Sequence, residues 1–230
     1  MTPNILIRSF TNDQYILDKV FYSNYYKIRN FDKDSNSVVV DIGAHCGYFS
    51  FFASALGAKK IYSFEPFLEN YKQLVKTSEQ ISRYNLANIK TFQFGAYTEQ
   101  TMINFYVKHD AYLDLAYLSI GENTHKDEEK IIVFPLDFLL KNFVNEWNID
   151  LLKISIGYAE FDILKSSTLN NVQNICGETE IVDDDLIADF KKIMNDKGFL
   201  YVEIFKFGEE KIVFMCSKTN LNNTFNINEK

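Results

Sequence analysis

Thirteen residues near the amino terminus constrain this chain more than any other segment. Residues 38–50 read VVVDIGAHCGYFS, a β-branched run ending in Asp41, a loop with glycines at positions 43 and 47, and an apolar run typical of a helix. A strand, a glycine turn and a helix in this order begin an open α/β sheet, which binds ligands at the carboxyl ends of its strands. Gly43 and Gly47 permit a sharp turn and a close backbone approach.

The spacing of these glycines indicates the kind of ligand. It is G-x-x-x-G, whereas loops that bind the pyrophosphate of a dinucleotide read G-x-G-x-x-G, so an NAD-dependent oxidoreductase is disfavoured. The acid Asp41 suits a ligand with a cationic centre, such as S-adenosylmethionine, and would repel a phosphate. Glu65 ends the next strand-like run, 22 residues after Gly43, where a carboxylate can accept both hydroxyls of a ribose.

Strand-like and helix-like runs alternate along the rest of the chain, which predicts a mostly parallel sheet with helices on both faces. Residues 198–204 and 211–217 are expected to be strands, and the turn between them is so short that they must be antiparallel. Residues 101–108 are expected to pair with residues 130–135 or with a neighbouring strand. The other predicted strands are 37–41, 60–65, 88–94, 150–155 and 172–180, and the predicted helices are 48–56, 70–83, 160–166 and 184–196.

No repeat or linker divides the sequence, so a single domain is predicted. Its expected limits are residues 35–217, with a helical extension at residues 1–34 and a polar, flexible tail at residues 218–230. The length of 230 residues is within the range of one α/β domain.

Composition excludes several functional classes. The net charge of −7 gives no basic face for nucleic acid, and no stretch of about 18 apolar residues could span a membrane. Cys46, Cys176 and Cys216 form no CxxC or Cys/His cluster, so neither disulfides nor a metal site is expected. A cytoplasmic protein is therefore predicted, and a homodimer is left open.

The segment from residue 37 to residue 165 resembles the FkbM-type methyltransferases. The similarity covers V-D-I-G-A-H-C-G-Y-F-S, the F-E-P that ends the second strand, PLDFLL at residues 135–140 and IDLLKISIGYAEFDILK at residues 149–165. It implies a Rossmann-like class I fold with a seven-stranded sheet, S-adenosylmethionine as cofactor, and O-methylation of a sugar, a glycan or another small hydroxylated molecule. The residues that we expect to contact the cofactor are Asp41, Gly43, Ala44, His45, Gly47, Tyr48, Phe49, Glu65, Pro66, Phe67, Gly95, Ala96 and Ser155.

One part of the motif departs from the family. Where the family reads K-I-D-V-E-G-A-E, residues 153–160 read K-I-S-I-G-Y-A-E, so that Ser155 replaces an Asp and Gly157 replaces a Glu, while Glu160 is kept. This loss of two carboxylates on the acceptor side supports an alternative function, a methyltransferase-like binding or scaffold protein without catalysis.

Methyl transfer to an alcohol calls for a group that removes the proton of the acceptor hydroxyl. Ser155 and Tyr158 stand at the altered motif and could bind the acceptor by hydrogen bonds. The candidates for the general base are His45, His109, His125, Asp137 and Glu178.

Overall fold

The computed structural model describes residues 5–9, 11–32, 34–110, 113–117, 128–180, 183–207 and 211–225. They contain the strands β1 (Val38–Ile42), β2 (Lys60–Phe64), β3 (Asn88–Phe92), β4 (Gly95–Tyr97), β5 (Thr101–Asp110), β6 (Leu113–Tyr117), β7 (Glu128–Pro135), β8 (Leu151–Ile154), β9 (Asn174–Glu180), β10 (Tyr201–Phe207) and β11 (Lys211–Ser217). The α-helices are α1 (Asp13–Phe21), α2 (Tyr48–Ala55), α3 (Leu68–Arg83), α4 (Leu136–Leu139), α5 (Glu160–Ser166), α6 (Asp184–Asp196) and α7 (Leu221–Thr224), and a π-helical segment (Leu140–Val144) follows α4. In this part of the chain, no helix is both long enough and apolar enough to cross a membrane.

Seven strands form the main sheet in the order β10-β11-β9-β8-β1-β2-β3. Neighbouring strands from β9 to β3 are parallel, and β11 is antiparallel to both β9 and β10. This confirms the predicted parallel sheet with an antiparallel carboxyl-terminal hairpin. The strand order reverses between β1 and β8, which is where sheets of this type form a ligand crevice.

The side chains of β1 alternate between two apolar cores, because successive residues of a strand point to opposite faces. Val38, Val40 and Ile42 pack in a core with residues of α5 and α6. Val39 packs in a second core with residues of α1 and α2. Helices therefore cover both faces, as expected for a Rossmann-like fold.

A smaller sheet, in the order β4-β7-β5-β6, follows β3 in the chain. The predicted pairing of residues 101–108 with residues 130–135 is confirmed, because β5 and β7 are antiparallel partners with Thr101 opposite Val133. The separate sheet itself was not predicted. Its residues Ile131 and Val133 pack on Phe67, three residues after the end of β2. The smaller sheet therefore lies beside the carboxyl end of β2.

The predicted strand at residues 198–204 begins three residues later, at Tyr201. Gly198 has a φ of +87°, and the Phe199 amide donates to the Met194 carbonyl, so these residues end α6 instead of starting the strand. A left-handed glycine after a helix is a common helix terminus.

Both ends of the described chain pack on the domain. Tyr26 and Ile28, which follow α1, and Phe225, which follows α7, are buried in the core beside β1, and Ile28 forms a β-bridge with Phe225. Residues 218–225 therefore differ from the flexible tail that we expected, because a fully buried aromatic side chain anchors them. The domain limits at residues 34 and 217 stay predictions.

Candidate active site

A small cleft lies at the carboxyl ends of β1 and β2. Its wall is largely apolar and is shared between the main sheet and the smaller sheet, as in many small-molecule sites. Four of the residues predicted to bind the cofactor, Gly43, Pro66, Gly95 and Ala96, line it. The remaining lining residues are Ile103, Ile131, Val133 and Ile156.

Gly43 turns the chain away from β1 with a φ of +73°. A Cβ atom at this position would lie 2.0 Å from the carbonyl oxygen of Ser155, so the loop and the end of β8 touch through their backbones. The amides of Gly43 and Ala44 both donate to the Phe64 carbonyl, at 3.0 and 2.9 Å. These two amides hold the loop on β2 and are not directed to a phosphate.

Gly47, Tyr48 and Phe49 all make contacts within the protein, and their contacts with the cofactor stay predictions. A Cβ atom on Gly47 would lie 2.7 Å from the Leu74 side chain, so this glycine lets α2 approach α3. The hydroxyl of Tyr48 donates to the Leu6 carbonyl at 3.0 Å, and the side chain of Phe49 is buried in the core.

The carboxylate of Glu65 is buried at the end of β2 and is fixed by two backbone amides. His45 donates to one oxygen at 2.8 Å, and Phe67 donates to the other at 3.0 Å. Burial raises the pKa of Glu65 to about 7, although both amides and Lys153 favour its charged form. The Asn70 side chain is a third hydrogen-bond partner of this carboxylate. Because a carboxylate has about four lone pairs, one is left for a ribose hydroxyl.

His45 has a left-handed backbone (φ +53°), and its Nδ1 atom is buried without a hydrogen-bond partner among the described residues. Burial lowers the pKa of His45 to about 4. His45 is consequently an uncharged imidazole at neutral pH, and its role as a general base stays a prediction.

Side chains of Asp13, His45 and Cys46 meet beneath the glycine loop, with one possible ligand atom of each within 4.8 Å of the others. Arg8 already pairs with both oxygens of Asp13, at 2.7 and 3.0 Å, and the Cys46 thiol donates to the same carboxylate at 3.6 Å. Burial raises the pKa of the Cys46 thiol. The guanidinium thus provides the positive charge that the buried acid requires.

Asp41 is fully buried and is not among the residues that line the cleft, and its direct contact with a cationic ligand stays a prediction. One oxygen accepts from Ser50 at 2.7 Å, and the other lies 3.0 Å from Lys153 Nζ. The same ammonium donates to the Gly43 carbonyl at 2.7 Å. Our sequence analysis missed Lys153, although a lysine inside the apolar run DLLKIS was a visible signal.

Ser155, directly after β8, and Glu178 of β9 lie side by side on neighbouring parallel strands. The Ser155 hydroxyl donates to Glu178 at 3.0 Å, and Lys19 of α1 forms an ion pair with the other oxygen of the same carboxylate. Burial favours the neutral acid, but the charges of Lys19 and Lys211 and the Ser155 hydroxyl outweigh it, so the pKa of Glu178 lies below its usual value. Glu178 is therefore a carboxylate at neutral pH.

The loop after β8 contains two residues in the left-handed region, Gly157 (φ +76°) and Tyr158 (φ +80°). Buried Glu160 fixes this loop by accepting from the amides of Ile156 and Gly157, at 2.6 and 2.7 Å. The Tyr158 side chain is 61% exposed, and the related motif has glycine at this position, where a left-handed φ carries no strain. Apart from its chain neighbours, no atom of the described residues lies within 4 Å of a Cβ built on Gly157, so they leave the place of the missing Glu open.

The remaining candidate bases are Asp137, His109 and His125. The carboxylate of Asp137 accepts from the Thr168 amide at 3.0 Å. Thr168 follows the carboxyl end of α5, whereas the loop at Gly157 precedes the amino end. Asp137 therefore fixes the turn after α5. His125 lies outside the described residues. The backbone of His109 belongs to β5, and its side chain is outside the described part.

Known proteins similar to this chain are found among solved structures and in one sequence family. No curated protein matches the chain. Similar solved structures include the amino-terminal domain of human METTL16 with SAH (12% identity, 94% of this chain and 73% of that chain, TM-score 0.47) and a putative RNA methyltransferase from Pyrococcus horikoshii (12%, 96% and 94%, 0.48). Another is a precorrin-6y C5,15-methyltransferase from Geobacter metallireducens (11%, 93% and 93%, 0.47).

Because these TM-scores are below 0.5, the assignment depends on the sequence family. The model of that family, the methyltransferase FkbM domain, matches residues 41–210, which include the end of β1, Glu65, Lys153 and Glu178. The chain therefore belongs to the FkbM methyltransferase family, as an enzyme that uses S-adenosylmethionine.

Proposed function

We propose that this methyltransferase transfers the methyl group of S-adenosylmethionine to a hydroxyl of a sugar, a glycan or another small molecule. The observation that carries the proposal is the carboxylate of Glu178 beside Ser155, where the family motif has an Asp. An alcohol is a poor nucleophile unless its proton is removed, and a positioned carboxylate can accept that proton. The net charge of −7 also favours a small acceptor over a nucleic acid.

Several residues of the cleft would hold the cofactor. Glu65 would accept from a ribose hydroxyl, Pro66, Gly95 and Ala96 would face the adenine, and the backbone at Gly43 would lie beside the methionine part. The cofactor supplies a methyl group that is activated by the positive sulfonium. The protein has to hold the acceptor oxygen in line with this group and exclude water, and alignment alone can provide a large part of the rate.

The acceptor hydroxyl would bind near Ser155, at the carboxyl end of β8. Glu178 would take its proton, directly or through the Ser155 hydroxyl that already donates to it. Lys19 keeps Glu178 ionised in the free enzyme, so that the carboxylate is ready to accept. A general base of this kind contributes about 10²–10⁴-fold to the rate.

The test uses S-adenosylmethionine with a labelled methyl group and a panel of methyl glycosides, nucleotide-sugars and short glycans. Glu178→Gln should lower the turnover of an accepted substrate by about 10²–10⁴-fold and leave the affinity for S-adenosylhomocysteine unchanged. Glu180→Gln is the matched control, because Glu180 lies two residues further along the same strand and pairs with Lys211 at 3.8 Å. Full turnover of Glu178→Gln would refute the role of Glu178.

The open space beside Gly157 also supports the second candidate, a binding protein that keeps the cofactor site without catalysis. That function predicts tight binding of S-adenosylmethionine and no labelled product with the whole panel. It further predicts that restoring both lost acids, by Ser155→Asp with Gly157→Glu, does not produce turnover. Any labelled product that depends on Glu178 would exclude it.

A further inference from the structure

The buried ion pair between Asp41 and Lys153 is in an unusual place for charged groups. The side chain of Asp41 is fully buried and that of Lys153 is 5% exposed. Pairs of this kind seldom add net stability, because the loss of hydration offsets the attraction between the charges, and apolar replacements are often neutral or stabilising. A function other than stability is therefore expected for this pair.

The contacts of the lysine connect it to the cofactor cleft. Lys153 Nζ lies between Asp41 Oδ1, at 3.0 Å, and the carbonyl oxygen of Gly43, at 2.7 Å. Neither Asp41 nor Lys153 lines the cleft, but Gly43 does. The ammonium is therefore linked to the cleft lining through its hydrogen bond to the Gly43 carbonyl.

The acid is held on the opposite side. Its Oδ2 atom accepts from Ser50, whose hydroxyl also lies 2.8 Å from that of Ser63 on β2. Asp41, Lys153 and Ser63 occupy matching positions on adjacent strands, so the orientation of the pair is fixed by the register of the sheet. A fixed pair of charges under a binding loop acts on the charge of whatever the loop binds.

We propose that Lys153 is a positioning and specificity-determining residue. It holds the Gly43 carbonyl and sets the ratio of the affinities for S-adenosylmethionine and S-adenosylhomocysteine. This inference rests on the placement of the cofactor in the cleft. S-adenosylmethionine carries one positive charge more than S-adenosylhomocysteine, at the sulfur. The ammonium that binds the Gly43 carbonyl repels this extra charge and so weakens the binding of S-adenosylmethionine relative to S-adenosylhomocysteine. The negative charge of Asp41 reduces this repulsion.

The experiment measures the affinities of both ligands by calorimetry and takes their ratio. Lys153→Met removes the cation and should shift the ratio toward S-adenosylmethionine by about tenfold, the effect of a unit charge within about 10 Å at an effective dielectric constant of about 20. Asp41→Asn should shift it by a similar factor in the opposite direction. The double variant should lie between the two, and its neutral pair keeps it folded if a single variant fails.

Two controls separate this role from a structural one. Lys165→Met removes a lysine that pairs with Asp189 on the surface at 3.0 Å, and it should leave both affinities unchanged. Lys153→Arg keeps the charge and should keep the ratio even if both affinities fall. A general loss of structure would weaken both ligands equally. A ratio equal to that of the wild type in every folded variant would overturn the inference, whereas a wild type that binds neither ligand would refute the placement of the cofactor.

Discussion

The protonation of Glu65 should control the affinity for the cofactor product. Ribose hydroxyls donate to a carboxylate more strongly than to a neutral acid, and the pKa of Glu65 is raised to about 7 in the free protein. Raising the pH ionises the group, so binding should tighten as the pH increases. If only the ionised form binds, about one molecule in eleven is competent at pH 6 and about ten in eleven at pH 8.

The dissociation constant of S-adenosylhomocysteine should thus fall by about tenfold between pH 6 and pH 8, measured by calorimetry with correction for buffer protonation. Glu65→Gln should weaken binding by about 1.5–3 kcal/mol at pH 8 and should remove the pH dependence. His45, with a pKa of about 4, does not titrate in this range.

Glu69→Gln is the matched control for this experiment, because Glu69 is an exposed acid on the next helix, paired with Lys72 at 2.6 Å. It should reproduce the wild-type curve. Equal slopes in the wild type and in Glu65→Gln would show that another group, such as the ligand's own amine, causes the dependence. A flat wild-type curve would refute the raised pKa.

Three further predictions concern the fold around the site. Gly43→Ala should destabilise the protein by about 3 kcal/mol or more, because the new Cβ would meet the Ser155 carbonyl at 2.0 Å in a left-handed backbone; an unchanged melting temperature would contradict this. Tyr158→Gly should raise the free energy of unfolding by about 1–2 kcal/mol, measured in urea, and Tyr158→Ala should not, since alanine keeps the Cβ strain. Phe225→Ala should cost about 3–5 kcal/mol, and a loss below about 1 kcal/mol would show that the carboxyl-terminal segment is not anchored.

Local patterns in the sequence were sufficient for the main sheet. The β-branched run before Asp41, the short turn before β11 and the strand-ending acid Glu65 depend on nearest neighbours in the chain, and each predicted its element. The smaller sheet was harder, because only long-range pairing shows that β4 joins β7, with more than 30 residues between Gly95 and Val133.

The side-chain contacts of the site could not be read from the chain in the same way. The position of Asp41 next to the glycines suggested contact with a ligand, but its partner Lys153 is 112 residues later and is adjacent only through the register of β1 and β8. Gly47 illustrates the same limit, since the side chain that requires a glycine there belongs to Leu74 of another helix.

The position of β11 has a consequence for how the chain folds during synthesis on the ribosome. This strand is the last to be synthesised in the sheet, yet it lies between β9 and β10 and provides the pairing partner for both. Until residues 211–217 have left the ribosome, β9 has an open edge and β10 has no place in the sheet. A nascent chain therefore carries a sheet edge of the kind that promotes association between chains, and the sheet can close only after β11 has emerged.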